Sequence, residues 1–451
     1  MNTTTAVPHP EVPTTPQPTS GTDADVRTAT LQTKLSTLIN TFITSNPQSR
    51  ASHNNARNSL PGGNTRSVLS SAPFPLTMKS GKAQYLTSID EKEYLDLTSN
   101  FSEALYGHSH PVIEHAVKEA LSNGFSMGAV SNKEAQLAEV LKERFESIDY
   151  VRFCNSGTEA NTFALLAALA FTGRKKVLIF RNGYHGGTLT FANDTNPMNL
   201  PFDFVLGEYC NIEHTRQLIT SDLGAILVEP MQGAAGMLPA TAEFLTFLRE
   251  EATRIDTVLI FDEVITSRLH YNGLQGHFGV RPDMTTLGKY IGGGFSFGAF
   301  GGRADIMSQF DPAVGTTGTG RVLAHSGTFN NNVFTMSAAL AASKLVTRES
   351  LSGLNALGDG LRRGGNEIAR DHEWVGLEFS GMGSAVGIHF ARGGDSETLR
   401  DCFYFYMLDR GIMVGRRGFV SLNLAHREED VDRFLGAVRE FAVEVKSLCL
   451  L

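Results

Sequence analysis

Cysteine is scarce: only Cys154, Cys210, Cys402 and Cys449 occur in 451 residues, and no two form a C-x-x-C pair. Two bridges at most cannot staple a fold of this size, so a disulfide scaffold is excluded and the reducing cytoplasm is the expected compartment. Long apolar runs are lacking too. Those present, such as Val177–Phe180 and Val258–Phe261, are far below a membrane span, so no membrane partner is expected. Nor is there an excess of positive charge. The 39 Lys and Arg are scattered and outnumbered by 47 Asp and Glu, giving a net charge of −8. A sequence-independent grip on nucleic acid needs a basic face, and that partner is excluded. What remains is an ordinary globular mixture, 41% hydrophobic and 19% charged, with ample material for a core. At roughly 150 residues per domain the length allows two or three domains.

Residues 1–30 hold nine threonines and five of the sixteen prolines, with almost no large apolar side chain. Such a segment cannot bury enough surface to offset its ordering entropy, so a disordered tail is expected. It has no apolar signal core, and its single Arg27 stands against Glu11, Asp23 and Asp25, which argues against a mitochondrial presequence. Residues 31–44 read as a short helix, and 46–66 as a polar stretch rich in Gly, Asn and Ser. The segment 31–105 is expected to join a smaller C-terminal domain, 341–451, around a large domain, 106–340. Within the large domain, Ser131 to Glu134 is a capping-box signature ahead of a helix with Leu137, Val140, Leu141 and Phe145 on one face. Apolar runs follow at Tyr150–Cys154, Lys176–Phe180, Ala225–Val228, Val258–Phe261, Met284–Leu287 and Phe295–Phe300. Helical stretches such as Glu159–Phe171 and Ala242–Arg254 separate several of them. Strand, turn and helix repeated in this way predict an α/β fold whose sheet is covered on both faces. A closing helix carries the stripe Val431, Phe434, Leu435, Val438 and Phe441.

Ligands of an open α/β sheet collect beyond the carboxyl ends of its strands, so the residues after each run carry the functional information. Asn155–Asn161 (NSGTEAN) follows the first run and opens a helix. Ser156, Gly157 and Thr158 there offer hydroxyls, free amides and a positive dipole end, a phosphate cup or a plain helix cap. After the second run, Tyr184 sits in a glycine-rich loop, either a stacking ring or a partly buried turn residue. His185 has no partner at metal-ligand spacing, and no metal is expected. Asp262 ends the Val258–Phe261 run. A carboxylate at a buried strand tip needs a cation or a protonated ring nitrogen, with a magnesium ligand or helix cap as the competing use. Lys289 follows the Met284 run directly and precedes three glycines, although lysine normally occupies a solvated face. It lies 27 residues beyond Asp262, about one βαβ step, so both can face one pocket. A desolvated lysine has a lowered pKa and forms imines. Phosphate cup, stacking ring, acid and imine-forming lysine in strand-end order describe a pyridoxal 5′-phosphate (PLP) site.

Two G-x-S-x-G matches, Gly124–Gly128 and Gly294–Gly298, lack the strand-before, helix-after setting of a nucleophile elbow. No Walker A loop is present, and no G-x-G-x-x-G opens a helix.

With these residues assembled, the chain from about 60 to 445 resembles the class III aminotransferases among the fold-type I PLP enzymes. The motifs are Asn155–Asn161, Gly183–Gly187 (GYHGG), Val228–Gly233 (VEPMQG), Phe261–Val264 (FDEV), Leu287–Gly294 (LGKYIGGG) and Gly327–Asn331 (GTFNN). Arg66, Ser267–Leu269 and Arg417–Val420 look most like β-phenylalanine and other β-amino acid aminotransferases, with glutamate-1-semialdehyde aminomutases the next relatives. The resemblance implies a mostly parallel seven-stranded sheet between helices, with a smaller α+β domain built from both chain ends. It implies that Lys289 carries PLP, Asp262 keeps its ring nitrogen protonated, Tyr184 stacks on one ring face and Val264 presses the other. Ser156, Gly157 and Thr158 would bind the phosphate, Glu229 and Gln232 would line the site, and Thr328 would reach the phosphate of a neighbouring subunit in a homodimer. Arg66 and Arg417 match the arginines that hold substrate carboxylates, Arg416 leaving a one-position ambiguity. The implied reaction moves an amino group from an amino acid donor to a 2-keto acid acceptor. An aminomutase or racemase on the same site is the alternative. Ala234 stands where many ω-amino-acid members carry a Glu that masks the arginine, and Ile265 stands where many carry Gln. One polar contact to the ring oxygen would then be either missing or rerouted through Gln232.

Overall fold

Short buried strands and the helices between them assemble into one seven-stranded sheet. The computed structural model describes residues 21–192, 196–313, 322–372, 376–390 and 395–449. In chain order the strands are β1 Tyr150–Cys154, β2 Lys176–Phe180, β3 Asp203–Gly207, β4 Leu223–Val228, β5 Val258–Asp262, β6 Met284–Gly288 and β7 Gly298–Gly302. They lie side by side in the order β1-β7-β6-β5-β4-β2-β3. Only β7 runs against its neighbours; the other pairings are parallel. The mostly parallel seven-stranded sheet is therefore present, and its central strands read as continuous apolar runs because both faces are covered. Val177, Ile179, Leu227 and Ile260 pack on one face with Ala160 and Leu165 of the helix Gly157–Thr172. Leu178, Phe180, Ile226, Leu259 and Phe261 pack on the other with Phe244 and Leu248 of the helix Ala242–Arg254. Alternation of side chains along each strand makes this division.

Two strand readings differ from expectation. Strand β3 carries no long apolar run because it is an edge strand and mostly half-buried. The last strand starts at Gly298, not Phe295, because Gly293 and Gly294 take left-handed φ values of 64° and 96° and keep the chain in a loop.

At the N-terminal end, a helix spans Gly21–Ser45, so residues 21–30 are its first turns and not part of a disordered tail. Tertiary contacts supply what composition lacks. Arg27 Nε donates to Asp395 Oδ2 at 3.1 Å, Thr28 Oγ1 donates to Oδ1 at 2.8 Å, and Leu31, Leu38 and Phe42 are buried. Residues 1–20 lie outside the described residues. The polar stretch after 46 holds a second helix, Pro47–Ala56, fastened where Asp90 accepts from the Gln48 and Ser49 amides. The two chain ends meet in a small sheet: Ile412–Met413 pairs in parallel with Glu93–Asp96. The closing helix, Glu428–Cys449, buries Val431, Phe434, Val438 and Phe441 as its stripe predicts. Among the described residues no helix is long and apolar enough to cross a membrane.

Asp395 holds the first helix through two side-chain bonds, so Asp395→Ala should cost about 1–2 kcal/mol. Hydrogen exchange should then accelerate in the amides of residues 27–31 and leave those of β4 and β5 unchanged.

Candidate active site

Strands β1, β2, β5 and β6 point the same way, so the segments that follow them meet at one edge of the sheet. After β1, the Ser156 hydroxyl accepts the Glu159 amide at 3.1 Å, capping the helix that Gly157 opens. Thr158 Oγ1 accepts the Gly187 amide at 3.3 Å, which draws the loop after β2 against this helix. Close approach explains two glycines. A Cβ on Gly157 would meet both Val264 methyls at 3.0 Å, and one on Gly186 would meet Thr158 Oγ1 at 2.2 Å, at a backbone φ of +121°.

Asp262, the last residue of β5, is buried. Its Oδ2 accepts from Asn161 Nδ2 and from His185 Nδ1, each at 2.8 Å, and its Oδ1 accepts the Val264 amide at 3.0 Å. Asn161 is itself held by Thr286 Oγ1 of β6 at 2.6 Å. His185 is as buried as the acid. Burial pulls its pKa down, but the hydrogen bond and charge of Asp262 outweigh it, and the net shift is upward. With Oδ2 already bonded twice and Oδ1 once, Oδ1 retains a lone pair for one further donor.

Lys289 begins the turn after β6 in a left-handed conformation, φ 52°. Desolvation pushes its ammonium down to about 8, against the upward pull of Asp262 and Glu229, while Arg268 adds to the depression. Its Nζ donates to Ser102 Oγ at 3.1 Å. Glu229 lies behind the site with a pKa raised chiefly by burial. Its two oxygens accept the Tyr184 amide at 2.9 Å and the Gly233 amide at 3.0 Å, tying two loops together. The Tyr184 ring keeps 44% of its surface exposed, available to a flat ligand.

These features fit PLP. A narrow cradle of glycine and hydroxyl closes on a helix N-terminus, a buried carboxylate retains an open acceptor, a ring stands exposed, and a buried lysine has its pKa pushed down to about 8. Among the described residues no group of His, Cys, Asp or Glu could hold a metal. The model of the family described as aminotransferase class-III matches residues 68–439. The chain belongs to that family. It is 44% identical over 413 residues to the β-phenylalanine transaminase of Variovorax paradoxus, covering 89% of this chain and 94% of that one. A solved structure of a β-phenylalanine aminotransferase from the same organism superposes with a TM-score of 0.89 at 42% identity, covering 92% of this chain and 98% of that one. A glutamate-1-semialdehyde 2,1-aminomutase of Methanosarcina acetivorans is 32% identical, covering 87% and 98%. The protein is thus a PLP-dependent aminotransferase of class III.

Of the residues singled out in the sequence, Ser156, Gly157, Thr158, Tyr184, Glu229, Asp262, Val264 and Lys289 gather at this edge. Gln232 is buried, but its Nε2 is committed to the Arg181 carbonyl at 2.8 Å, so that nitrogen is unavailable to a ring oxygen. Thr328 is exposed on a 1240 Å³ cavity lined by residues 126–132, 134, 135, 138, 151–153 and 325–333, and Lys289 is not part of that lining. The two adjacent arginines are placed differently. Arg416 makes a two-point ion pair with Asp401, at 3.1 and 2.8 Å, while Arg417 is exposed with no side-chain partner among the described residues. Arg66 Nη1 donates to Asn100 Oδ1 at 2.8 Å and its guanidinium lies 5.2 Å from the Phe101 ring.

His185 and Ser102 were missed as site residues. The signal for His185 was the demand of Asp262 itself, since a buried acid beside a histidine-bearing loop calls for that partner. Ser102 sits 187 residues from Lys289, and no local pattern announces it.

Two measurements test this site. Capture of PLP by the apoenzyme should rise with pH through a midpoint near 8, as Lys289 loses its proton, and should vanish in Lys289→Ala. In Asp262→Asn the carboxylate hydrogen bond and charge that chiefly raise His185 are gone and only the pull of Glu229 remains, so its pKa should fall below the wild-type value. Nitrogen-15 NMR of labelled histidine reads that shift, and turnover should fall about 100-fold or more.

Proposed function

We propose that the donor of this aminotransferase is a β-amino acid with an aromatic or bulky apolar side chain, such as β-phenylalanine, and that a 2-keto acid takes the amino group. One observation carries the choice. Arg417 offers an exposed, unspent guanidinium two residues before Phe419, whose ring packs on Phe101 with centroids 5.3 Å apart, and Arg66 lies 5.2 Å from that same Phe101 ring. Carboxylate-binding charge next to aromatic surface suits a donor carrying both groups. The similarity to the Variovorax paradoxus β-phenylalanine transaminase supports the same reading.

In this proposal PLP supplies the aldehyde that takes the amino group and the ring that delocalises the electrons of the broken C–H bond. Lys289 Nζ holds the cofactor and, once released, takes the proton from the amine-bearing carbon. Asp262 Oδ1 retains a proton on the ring nitrogen. Ser156, the Gly157 amide and Thr158 hold the phosphate, Tyr184 covers one ring face and Val264 supports the other. Glu229 and Gln232 act by holding the surrounding loops. Arg417 takes the donor carboxylate, with Arg66 as the second carboxylate site. Residues 106–340 form the cofactor domain, and 31–105 with 341–451 form the smaller one.

The enzyme is further proposed to work as a cytoplasmic homodimer. The cavity that holds Thr328 is open and rimmed by exposed Met127, Val130 and Phe329, Val130 with 90% of its surface accessible. Covering these side chains with a second copy would bring Thr328 toward the neighbouring phosphate cup.

A panel of amine donors, including both enantiomers of β-phenylalanine, with 2-oxoglutarate or pyruvate as acceptor tests the substrate. One β-phenylalanine enantiomer should be among the best donors, and turnover should require the acceptor. Turnover without any keto acid would instead identify a mutase or racemase. Arg417→Ala should raise KM for the carboxylate donor about 10- to 100-fold, the worth of one charge-assisted hydrogen bond, with a smaller change in kcat.

A further inference from the structure

Four consecutive non-glycine residues, Ser99, Asn100, Phe101 and Ser102, have φ values of 43°, 47°, 58° and 71°. They form a single left-handed helical turn, with ψ near 49° at Asn100 and Phe101. Each such residue brings its Cβ against the following carbonyl, and runs of them persist only where the surroundings over-determine the backbone. The surroundings here do so from both ends. At the start, Asp96 Oδ1 accepts the Thr98 amide at 2.8 Å and the Thr98 hydroxyl at 2.6 Å, and Ser99 Oγ donates to the Ser421 carbonyl at 2.6 Å. At the end, Arg268 Nη1 donates to the Ser102 carbonyl at 3.2 Å and to Ser421 Oγ at 2.8 Å, and its Nη2 donates to the Leu422 carbonyl.

Arg268 is itself unusual. It is fully buried, makes no ion pair among the described residues, and leaves its Nε without a partner. A buried, unpaired guanidinium is costly, and it is spent here on carbonyls and a hydroxyl that hold this turn and the strand Phe419–Ser421 beside it.

At the last position of the turn, Ser102 is buried and its hydroxyl has both roles assigned. It donates to the Phe101 carbonyl at 2.5 Å and accepts from Lys289 Nζ at 3.1 Å. Because its proton is committed to the carbonyl, its lone pairs face the lysine, which must be the donor. Lys289 also stands on left-handed backbone, so two strained segments meet at this single bond.

We propose that Ser102, held in the left-handed turn by Asp96 and Arg268, is a positioning residue for Lys289: its oxygen takes one N–H of the free lysine and so aims the nitrogen lone pair into the cofactor site. The proposal rests on the reading of Lys289 as the PLP lysine. It assigns the strained turn a purpose, since the handedness of the backbone sets which way residue 102 projects. An acceptor at this distance also favours the ammonium over the amine. The charged groups that act on Lys289 are Asp262, Glu229 and Glu103, which raise its pKa, and Arg268, which lowers it. Glu103 is the next residue after Ser102, its own pKa raised chiefly by burial and its Oε2 bonded to Asn100 Nδ2 at 3.1 Å.

The test uses apoenzyme and free PLP, following the rate of borohydride-fixable capture against pH. Ser102→Ala removes the hydroxyl and keeps the strained backbone. Ser102→Gly removes it and suits the left-handed φ, so it serves where the alanine variant folds poorly. Both should move the midpoint down from the wild-type value by about one pH unit and lower the limiting rate above it about tenfold. A role in packing alone would scale the profile without moving its midpoint. That result overturns the proposal, as would a glycine variant that captures PLP like wild type. Capture that survives in Lys289→Ala sinks the assignment of the lysine instead, and is distinguishable because it does not depend on Ser102.

Discussion

A carboxylate buried at the tip of a strand is the constraint around which the site is arranged. A buried carboxylate is costly without donors, and Asp262 draws them from three different segments: Asn161 from the helix after β1, His185 from the loop after β2, and the backbone of Val264. Asn161 is in turn positioned by Thr286 of β6. Satisfying one acid therefore fixes the relative placement of four strand ends, those of β1, β2, β5 and β6. The phosphate cradle inherits its geometry from this network, since the helix that carries Asn161 opens with Gly157 and Thr158. His185 is then a structural partner of the acid more than a chemical actor, and the hydrogen bond and charge of Asp262 raise its pKa against the pull of burial.

Lys289 stands in the opposite electrostatic situation. Burial disfavours its charge, and Arg268 disfavours it further, while three carboxylates draw it back. The balance leaves an amine that gains and loses a proton near physiological pH, which suits a group that must serve as nucleophile and base in turn. Arg268 contributes twice, once through its charge and once by holding the Ser102 carbonyl. The two effects have one cause: a guanidinium enclosed by carbonyls has no carboxylate of its own to neutralise it, so its field reaches the lysine.

Much of this was legible in the chain because burial of the wrong residue type is conspicuous. A lysine directly after an apolar strand and an acid ending another stand out in any pattern of alternating elements, and the central strands announce themselves by runs such as Val258–Phe261. What escaped notice depends on partners distant in sequence. Strand β3 is an edge strand without a continuous apolar run, and the first turns of the helix Gly21–Ser45 are ordered by Asp395, 368 residues from Arg27. The left-handed turn at 99–102 contains no glycine to mark it. Its hand is imposed by Asp96, Arg268 and Ser421, and only the assembled structure brings those residues together.

The neighbouring arginines 416 and 417 show how a short turn divides two tasks. Gly415 donates its amide to the Phe419 carbonyl at 3.0 Å, and the tight connection between them points successive side chains in different directions. Arg416 turns back to Asp401, and its Nη1 also donates to the Ser71 hydroxyl and the Ala72 carbonyl, each at 2.8 Å. Those two residues lie just beyond the short 3-10 turn Ser67–Leu69 that Arg66 precedes. Arg416 thus fastens the segment that presents Arg66 to the same turn that presents Arg417. On the proposed reading, the spacing of the two carboxylate sites is set by a third arginine that touches no substrate. The backbone beneath both guanidinium arms is thus held at both ends, and the Arg66 arm rests against the Phe101–Phe419 ring pair.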